Sequence, residues 1–547
     1  MKILNEKSII ILFTSLFSVF ACQDLSEIAV NPNGVEPETA NPNLILSTVL
    51  TETGKAVVDL GFGNIAGVVQ HTQKDAWFSG HNDYDWSNQS WADYYAILVD
   101  NQKVHERSVE LGWEFQQGVT LVMRAYLFGL ITDLWGDAPY SKAIQGDLGG
   151  NEFLLPSYDS QNAIYLGILA DLEAANTLLS KDKDAYDQIY DEGDVIYNGE
   201  PSQWQKLANS LRLRYYMRLS EKDPGMAKSG IESIVADPTQ YPIITNSGDD
   251  ALMAYLSDKR DNSWPGNYDL ADPSGSSYRR IKMCATFVDA LQALNDPRLS
   301  IWASKVEIPL AVDPNLPAGT DEIIDGVRYL SPDVVGDEPI DTDTDYVGIP
   351  PSISDLPSSY NLNPTPGQLS FNPHVSYLNE MYTEPTGDLL TSKLMTAAEV
   401  NFILAEAAVN GWAVGADAKT YYENAINASF EAWGLADEYS NYIIGEATFD
   451  GTKQQIIEQK WIASWTAATE SWFDYRRTGF PALEAGPAAK RQVLPVRFYY
   501  MQDELNINET NAMEAVNKLE ETAFTQADGK NSAWAKPWLL QGTNKPW

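Results

Sequence analysis

Histidine, cysteine and positive charge are scarce in this chain of 547 residues, and each scarcity removes a class of chemistry. The only histidines are His71, His81, His105 and His374; no two stand at the helical spacing of metal ligands, and HExxH, GxSxG and P-loop motifs are absent. A metal-dependent or nucleophile-dependent enzyme is therefore not expected, and no cofactor is called for. Two cysteines, Cys22 and Cys284, are too few for a disulfide framework, and Cys284 in its IKMCATFV setting reads as a small buried hydrophobe. Lys and Arg number 37 against 76 Asp and Glu, a net charge of −39. Such a surface repels phosphate backbones and anionic lipid, which excludes nucleic acid as a partner and suits a neutral or cationic ligand. The absences leave glycoside hydrolysis open, because that chemistry needs only two carboxylates.

What is present begins at the N-terminus. Lys2 and Lys7 precede an apolar run from Ile9 to Ala21, too short to span a bilayer and of the length of a signal h-region. The run ends Val19-Phe20-Ala21-Cys22, a small residue before cysteine that resembles a bacterial lipobox. Residues 1–21 are thus expected to be a lipoprotein signal peptide, Cys22 the acylated first residue, and 22–43, rich in Asn and Pro, an extended tether. Such a protein sits on a membrane without crossing it.

The rest reads as one domain, 44–547, organised around Thr452–Pro481. There Ile457, Trp461, Trp465, Ala468 and Trp472 recur at helical steps, which predicts one helix with a wide aromatic stripe that other helices must cover. Gly479 and Pro481 end it, with Arg476 and Arg477 in the last turn, where cations suit the macrodipole. The periodicity predicts further helices over Leu44–Val58, broken or ended by Gly54 and Gly61–Gly63, and over Trp91–Leu111 and Phe115–Trp135 around Gly112. Asp159–Leu179, a helix opened by a Ser202–Gln205 capping box, and Met226–Ala236 follow. After 396 come Thr396–Asn410, whose capping partner is Glu399, Ala418–Trp433, and a helix near Asn511–Glu520. Between 237 and 395, where most of the prolines fall, an irregular loop-rich lobe with small β elements is expected, interrupted by a helix over Met283–Leu294. The fold class is mainly α: a helical scaffold over 44–236 and 396–520 supporting that lobe.

Two turn-rich segments carry aromatics in polar surroundings. Trp77–Trp91 holds Trp77, Asn82, Asp83 and Trp86; Asp258–Tyr278 holds Asn262, Trp264 and Tyr268. Sugar rings lay C–H faces on aromatic faces and need planar polar partners for their hydroxyls, so these seven residues form the candidate ligand site if the segments converge. The competing reading makes the aromatics a plug between helices and lobe. Asp341, Asp343 and Asp345 have the spacing of a calcium loop, but Tyr346 and Ser352 stand where that loop requires Gly and Glu, so a solvated acidic loop is expected, with a weak calcium clip as the alternative.

Several stretches resemble one family. TAAEVNFILAEAAVNGW, the Gln459–Pro481 segment with its FDYRRTGFP end, ALNDPRLSIW, ITDLWGDAPYSKA and LPVRFYYMQDELNINETN are similar, in order and spacing, to the SusD/RagB outer-membrane nutrient-binding lipoproteins, and Tyr346-Val347-Gly348 resembles a segment found in one branch of it. The resemblance implies a tetratricopeptide-like arrangement of helical pairs, although no 34-residue repeat is visible. It also implies a TonB-dependent, SusC-like outer-membrane transporter as partner, and comparable loops for the ligand-binding aromatics. Two functions follow as expectations: a non-catalytic, lipid-anchored surface receptor that captures an oligosaccharide or peptide and delivers it to that transporter, or a surface glycosidase on a helical scaffold.

Overall fold

A computed structural model describes residues 41–75, 80–86, 89–264, 279–354, 356–366 and 371–544. Its first helix, α1 (Pro42–Val58), starts at Pro42 because Asn41 Oδ1 accepts the amide of Asn43 at 3.0 Å and proline takes a first-turn position that needs no donor. Of the glycines expected to break or end it, Gly54 does not, whereas the α-helix does end at Val58, just ahead of Gly61 and Gly63. Gly54 makes room for Met253, whose sulfur would lie 2.5 Å from an added Cβ, and the chain continues through a π-helical stretch, Asp59–Ile65, into Ala66–Val68.

Helices α2 (Ala92–Leu111) and α3 (Glu114–Trp135) form a hairpin that turns at Gly112, left-handed at φ +72°. Apolar on every side, α3 is long enough to cross a membrane by composition, yet 89% of that stretch is buried within the fold. It packs on α4 (Gln161–Leu178), which Ser160 caps through the amide of Ala163, and α4 packs on α5 (Pro201–Arg218). Ser202 is not the cap of α5. Pro201 already occupies its first turn, so Ser202 lies inside the helix, which carries no side-chain cap. Asp223 caps α6 (Pro224–Ala236) through Met226 N at 3.0 Å, two residues ahead of the expected start.

Short strands dominate the middle of the chain. β1 (Thr72–Lys74) pairs antiparallel with β3 (Ile281–Met283), and β2 (Ala251–Ala254) with β7 (Thr391–Met395). β4 (Leu310–Val312) runs parallel to β6 (Val327–Leu330), whose other edge takes β5 (Asp321–Ile324) antiparallel. Because Ile281–Met283 is a strand, α7 (Ala285–Ala293) begins after Cys284, later than the sequence suggests. Helices resume with α8 (Ala397–Val409), which Thr396 caps through Glu399 N at 3.2 Å, then α9 (Ala418–Ala432).

The organising stretch is two helices rather than one: α10 (Lys453–Ala463) and α11 (Thr469–Thr478), broken where Thr466 adopts φ +69°. The break lets three buried indoles reach three different acceptors. Trp461 donates to the carbonyl of Val69 (2.8 Å), Trp465 to Tyr382 Oη (2.6 Å) and Trp472 to the carbonyl of Pro495 (2.8 Å). They are scaffold, and one continuous apolar core runs from Leu46 in α1 to Leu539. A last helix, α12 (Glu509–Lys518), follows. The fold is mainly α, built of paired helices with few, small strands.

Candidate ligand site

The loop after β1 is built by its own polar side chains. Asn82 mimics a strand partner: its Oδ1 accepts from Lys74 N at 2.8 Å and its Nδ2 donates to Lys74 O at 2.6 Å. Asp83 Oδ1 accepts from the amides of Gly80 (2.6 Å) and Asp85 (3.0 Å), closing a tight turn. Both residues hold the loop in shape. Trp86, 1% exposed, packs edge-on against Trp472 and Phe498, each at 5.0 Å between ring centres. Trp264, fully buried, sits among Phe62, Tyr255 and Tyr382. The expectation that these two indoles offer a face to a sugar is corrected here, since core rings cover both. Asn262, half-buried, donates to Asp258 Oδ1 at 2.7 Å. Trp77, Tyr268 and Cys22 lie outside the described residues.

The two segments do meet, through other residues. A cleft of about 730 Å³ between α1 and α2 is bordered by Gln89 and Ser90 from the first segment and Asp261 from the second. That volume lies within the range of small-molecule sites. Glu52, Asp59, Asp93 and Asp100 line it, with Lys55 held by Glu52 at 2.9 Å. Tyr94 forms part of its wall at 8% exposure; burial, then the neighbouring Asp59 carboxylate, hold its phenol well above the ordinary tyrosine range.

On the other side of Gln89 and Ser90 lies a second cleft, of about 590 Å³, lined by Trp91, Tyr95, Phe153 and Met501. Trp91 is fixed edge-on to Trp135 at 5.5 Å, and Tyr95 Oη donates to the carbonyl of Pro139 at 2.5 Å. Gln89 and Ser90 are therefore a shared lip between an acidic, hydrogen-bonding cleft and an aromatic one. Trp91 is itself covered by core rings, so an extended ligand crossing the lip would meet carboxylates and amides on one side and the half-buried rings of Tyr95 and Phe153 on the other. Sequence reasoning passed over Gln89, Ser90, Tyr94 and Asp261; the only signal was the position of Gln89, Ser90 and Asp261 near the ends of the flagged segments, and Tyr94 lies outside both.

In the acidic loop the carboxylates brace their own turn. Asp341 Oδ1 accepts from Asp343 N, and Asp343 Oδ1 from Asp345 N and Tyr346 N, each at 2.8 Å, while Asp345 pairs with Lys305 at 2.9 Å. Among the described residues no three His, Cys, Asp or Glu converge as metal ligands. Burial pushes the Cys284 thiol up to about 12, so it is unreactive near neutral pH.

Residues 37–312 and 337–501 match the family model described as SusD-like, starch-binding and associating with the outer membrane. The chain belongs to the SusD-like family. Solved structures similar to this SusD-like protein include an outer-membrane protein from Bacteroides vulgatus ATCC 8482 whose description links it to nutrient binding (28% identity, TM-score 0.70, covering 92% of this chain and 100% of that one). A SusD homologue from Bacteroides fragilis NCTC 9343 is 25% identical (TM-score 0.69, 92% and 99%). A chitin-binding SusD homologue from Flavobacterium johnsoniae, at 21% identity, shares the fold (TM-score 0.68, 91% and 98%). No curated protein matches the chain. As a member of this family the protein is associated with the outer membrane. The internal stretch that the family model leaves out, 313–336, carries β5 and β6.

Proposed function

We propose that this SusD-like protein is a non-catalytic receptor on the outer-membrane surface, anchored through acylated Cys22, that captures an oligosaccharide and delivers it to a TonB-dependent, SusC-like transporter. The observation that carries the reading is the meeting of the two aromatic, turn-rich segments at the acidic cleft, through Gln89, Ser90 and Asp261, with Gln89 and Ser90 shared with the aromatic cleft beside it. An extended groove with hydroxyl partners on one side and ring faces on the other suits a glycan. The family description and the nutrient- and chitin-binding relatives support the same ligand class. The short h-region and the Ala21-Cys22 junction support the anchor. In this reading the paired helices are the scaffold, and the loops after β1 and around Asp258–Asn262 face the ligand.

The test is a glycan and peptide array probed with the purified protein, followed by an assay for new reducing ends on every glycan that binds. Binding of one glycan class without turnover is expected. Released reducing ends would replace the receptor by a glycosidase, and a peptide-only pattern would change the cargo.

A further inference from the structure

The aromatic cleft does not close at its far end. Ala143 and Ile144, which line it, also line a third cleft of about 340 Å³, set between α2, α3 and the loop over 140–148. Across that shared edge runs a row of rings packed edge-on: Trp91 on Tyr95 (5.6 Å between centres), Tyr95 on Phe128 (6.1 Å) and Phe128 on Tyr140 (4.7 Å). Tyr95 lines the aromatic cleft, and Phe128 and Tyr140 line the third, so the two are joined by packing as well as by their edge. Ile144 passes the edge at φ +63°, a left-handed backbone that a β-branched residue rarely adopts. Strain of that kind persists where the surroundings impose it, and it gathers at sites that hold ligands.

The third cleft is equipped for hydrogen bonding. The Thr120 hydroxyl, 1% exposed, donates to the carbonyl of Gln116 at 2.8 Å, so toward His105 Nδ1, 2.8 Å away, it acts as acceptor. That fixes the tautomer. The proton sits on Nδ1, and Nε2, on the opposite edge of a half-buried ring that lines the cleft, keeps its lone pair without a partner among the described residues. Burial, then the charge of Arg124, hold this imidazole below its ordinary range, which keeps it neutral at pH 7. Arg124 supplies the opposite polarity. Its Nη1 is taken by both oxygens of Asp171, at 2.9 and 3.1 Å, and its guanidinium lies over the Tyr140 ring at 5.0 Å. Its Nε and Nη2 have no hydrogen-bond partner among the described residues. One fixed acceptor and spare donors beside a tyrosine ring complement the hydroxyls and C–H face of a sugar. With Glu106, Asp147 and Asp171 around that single cation, an anionic sugar is disfavoured.

We propose that this third cleft is a further subsite of the ligand groove, reached over Ala143 and Ile144, in which His105 Nε2 accepts from one ligand hydroxyl, Arg124 donates to another and a sugar ring lies beside Tyr140. The inference rests on the receptor reading above and deepens it: the cargo is a neutral oligosaccharide long enough to run from the lip at Ser90 across the aromatic cleft to His105. A short oligomer occupies the first clefts alone; only a longer chain gathers the contacts of the last. Contacts made by one continuous chain add without a second loss of translational freedom, so affinity climbs with length until the last subsite is filled.

The experiment is calorimetric titration of the full chain with malto-oligosaccharides and N-acetylchito-oligosaccharides, from the disaccharide to the octasaccharide, and with the same ladder of any other neutral glycan that the array returns. Affinity is expected to rise with length, and by about fivefold or more over the longest members, the worth of one or two hydrogen bonds. His105→Asn keeps a donor for Thr120 and removes the acceptor; it should take away that last rise and leave the shorter oligomers unchanged. Gln102→Trp fills the cleft from α2 and should do the same, giving up only the surface bond from Gln102 Nε2 to Glu106 at 2.7 Å. Equal weakening at every length would assign the two residues to the scaffold and overturn the subsite. Short and long oligomers that bind the parent equally, or variants that match the parent at every length, would overturn it too and leave the receptor reading intact. An array that returns charged glycans alone would overturn the neutral class, and with it the inference. An array on which no glycan binds would remove both.

Discussion

Arg476 donates through Nη1 to the backbone carbonyl of Asp133 at 2.5 Å and contacts its carboxylate through Nη2 at 3.2 Å, tying α11 to the end of α3 across 343 positions of sequence. Asp133 also receives Arg218 at 2.5 Å and the hydroxyl of Tyr165 at 2.6 Å. Burial lifts the Asp133 carboxyl despite these partners and lowers Arg476 to about 10, so both charges are held at a cost and depend on each other. Removing one should therefore be worse than losing an ordinary hydrogen bond. Asp133→Ala is expected to cost roughly 3–5 kcal/mol, because two buried guanidiniums lose their carboxylate. Denaturant unfolding measures it, and a loss below about 1 kcal/mol would mean the site is hydrated.

A second prediction concerns acid. Burial alone would raise Asp474 and Glu470, but Lys460 (2.7 Å) and Arg477 (2.9 Å) hold Asp474 below the ordinary carboxylate range, and Arg214 with Arg218 does the same for Glu470. With native values below the unfolded ones, the unfolded chain binds more protons in acid. The stabilisation is present above about pH 4 and is lost as pH falls through the native values. Melting temperature should fall steeply below about pH 4, and less steeply in Lys460→Met, which already starts less stable at pH 7. Parallel curves for parent and variant would count against the assignment.

Trp461 is the third test. Its indole is 3% exposed, stacks edge-on to Phe287 at 4.9 Å and donates to Val69 O. Trp461→Ala should cost roughly 3–5 kcal/mol. A variant that melts within about a degree of the parent would place the indole outside the core.

Much of the scaffold was legible because its signals are local. The Thr396 cap with Glu399, the Gly112 turn and the periodicity of α2 and α3 each lie within a few residues, and each appears where expected. The break between α10 and α11 was not legible, because Trp461, Trp465, Ala468 and Trp472 keep helical spacing across it while a single residue, Thr466, turns left-handed. The candidate site was legible in half. Composition marks the two segments, but which side chains face outward depends on partners far away in sequence: Trp472 and Phe498 bury Trp86, and Tyr382 helps bury Trp264. No periodicity within the segments carries that information.

A fourth prediction addresses the anchor. Cys22→Ala should leave the protein unprocessed or released, as scored by membrane fractionation and by labelling with a fatty-acid analogue. A Cys22→Ala protein that still takes up the label and fractionates with the outer membrane would contradict acylation at this position.

The most direct test of the receptor account is one calorimetric comparison: the tightest array glycan titrated into the parent protein and into a Ser90→Trp, Asp261→Arg variant that blocks the lip between the two clefts. Ser90 borders both clefts and Asp261 the acidic one, both are exposed, and the variant gives up only the bond from the Ala92 amide to Ser90 Oγ (3.2 Å), so its melting temperature should fall by no more than a few degrees. The account predicts saturable one-to-one binding by the parent and at least about tenfold weaker binding by the variant, a loss of 1.4 kcal/mol or more. Equal affinity in the two proteins would contradict it.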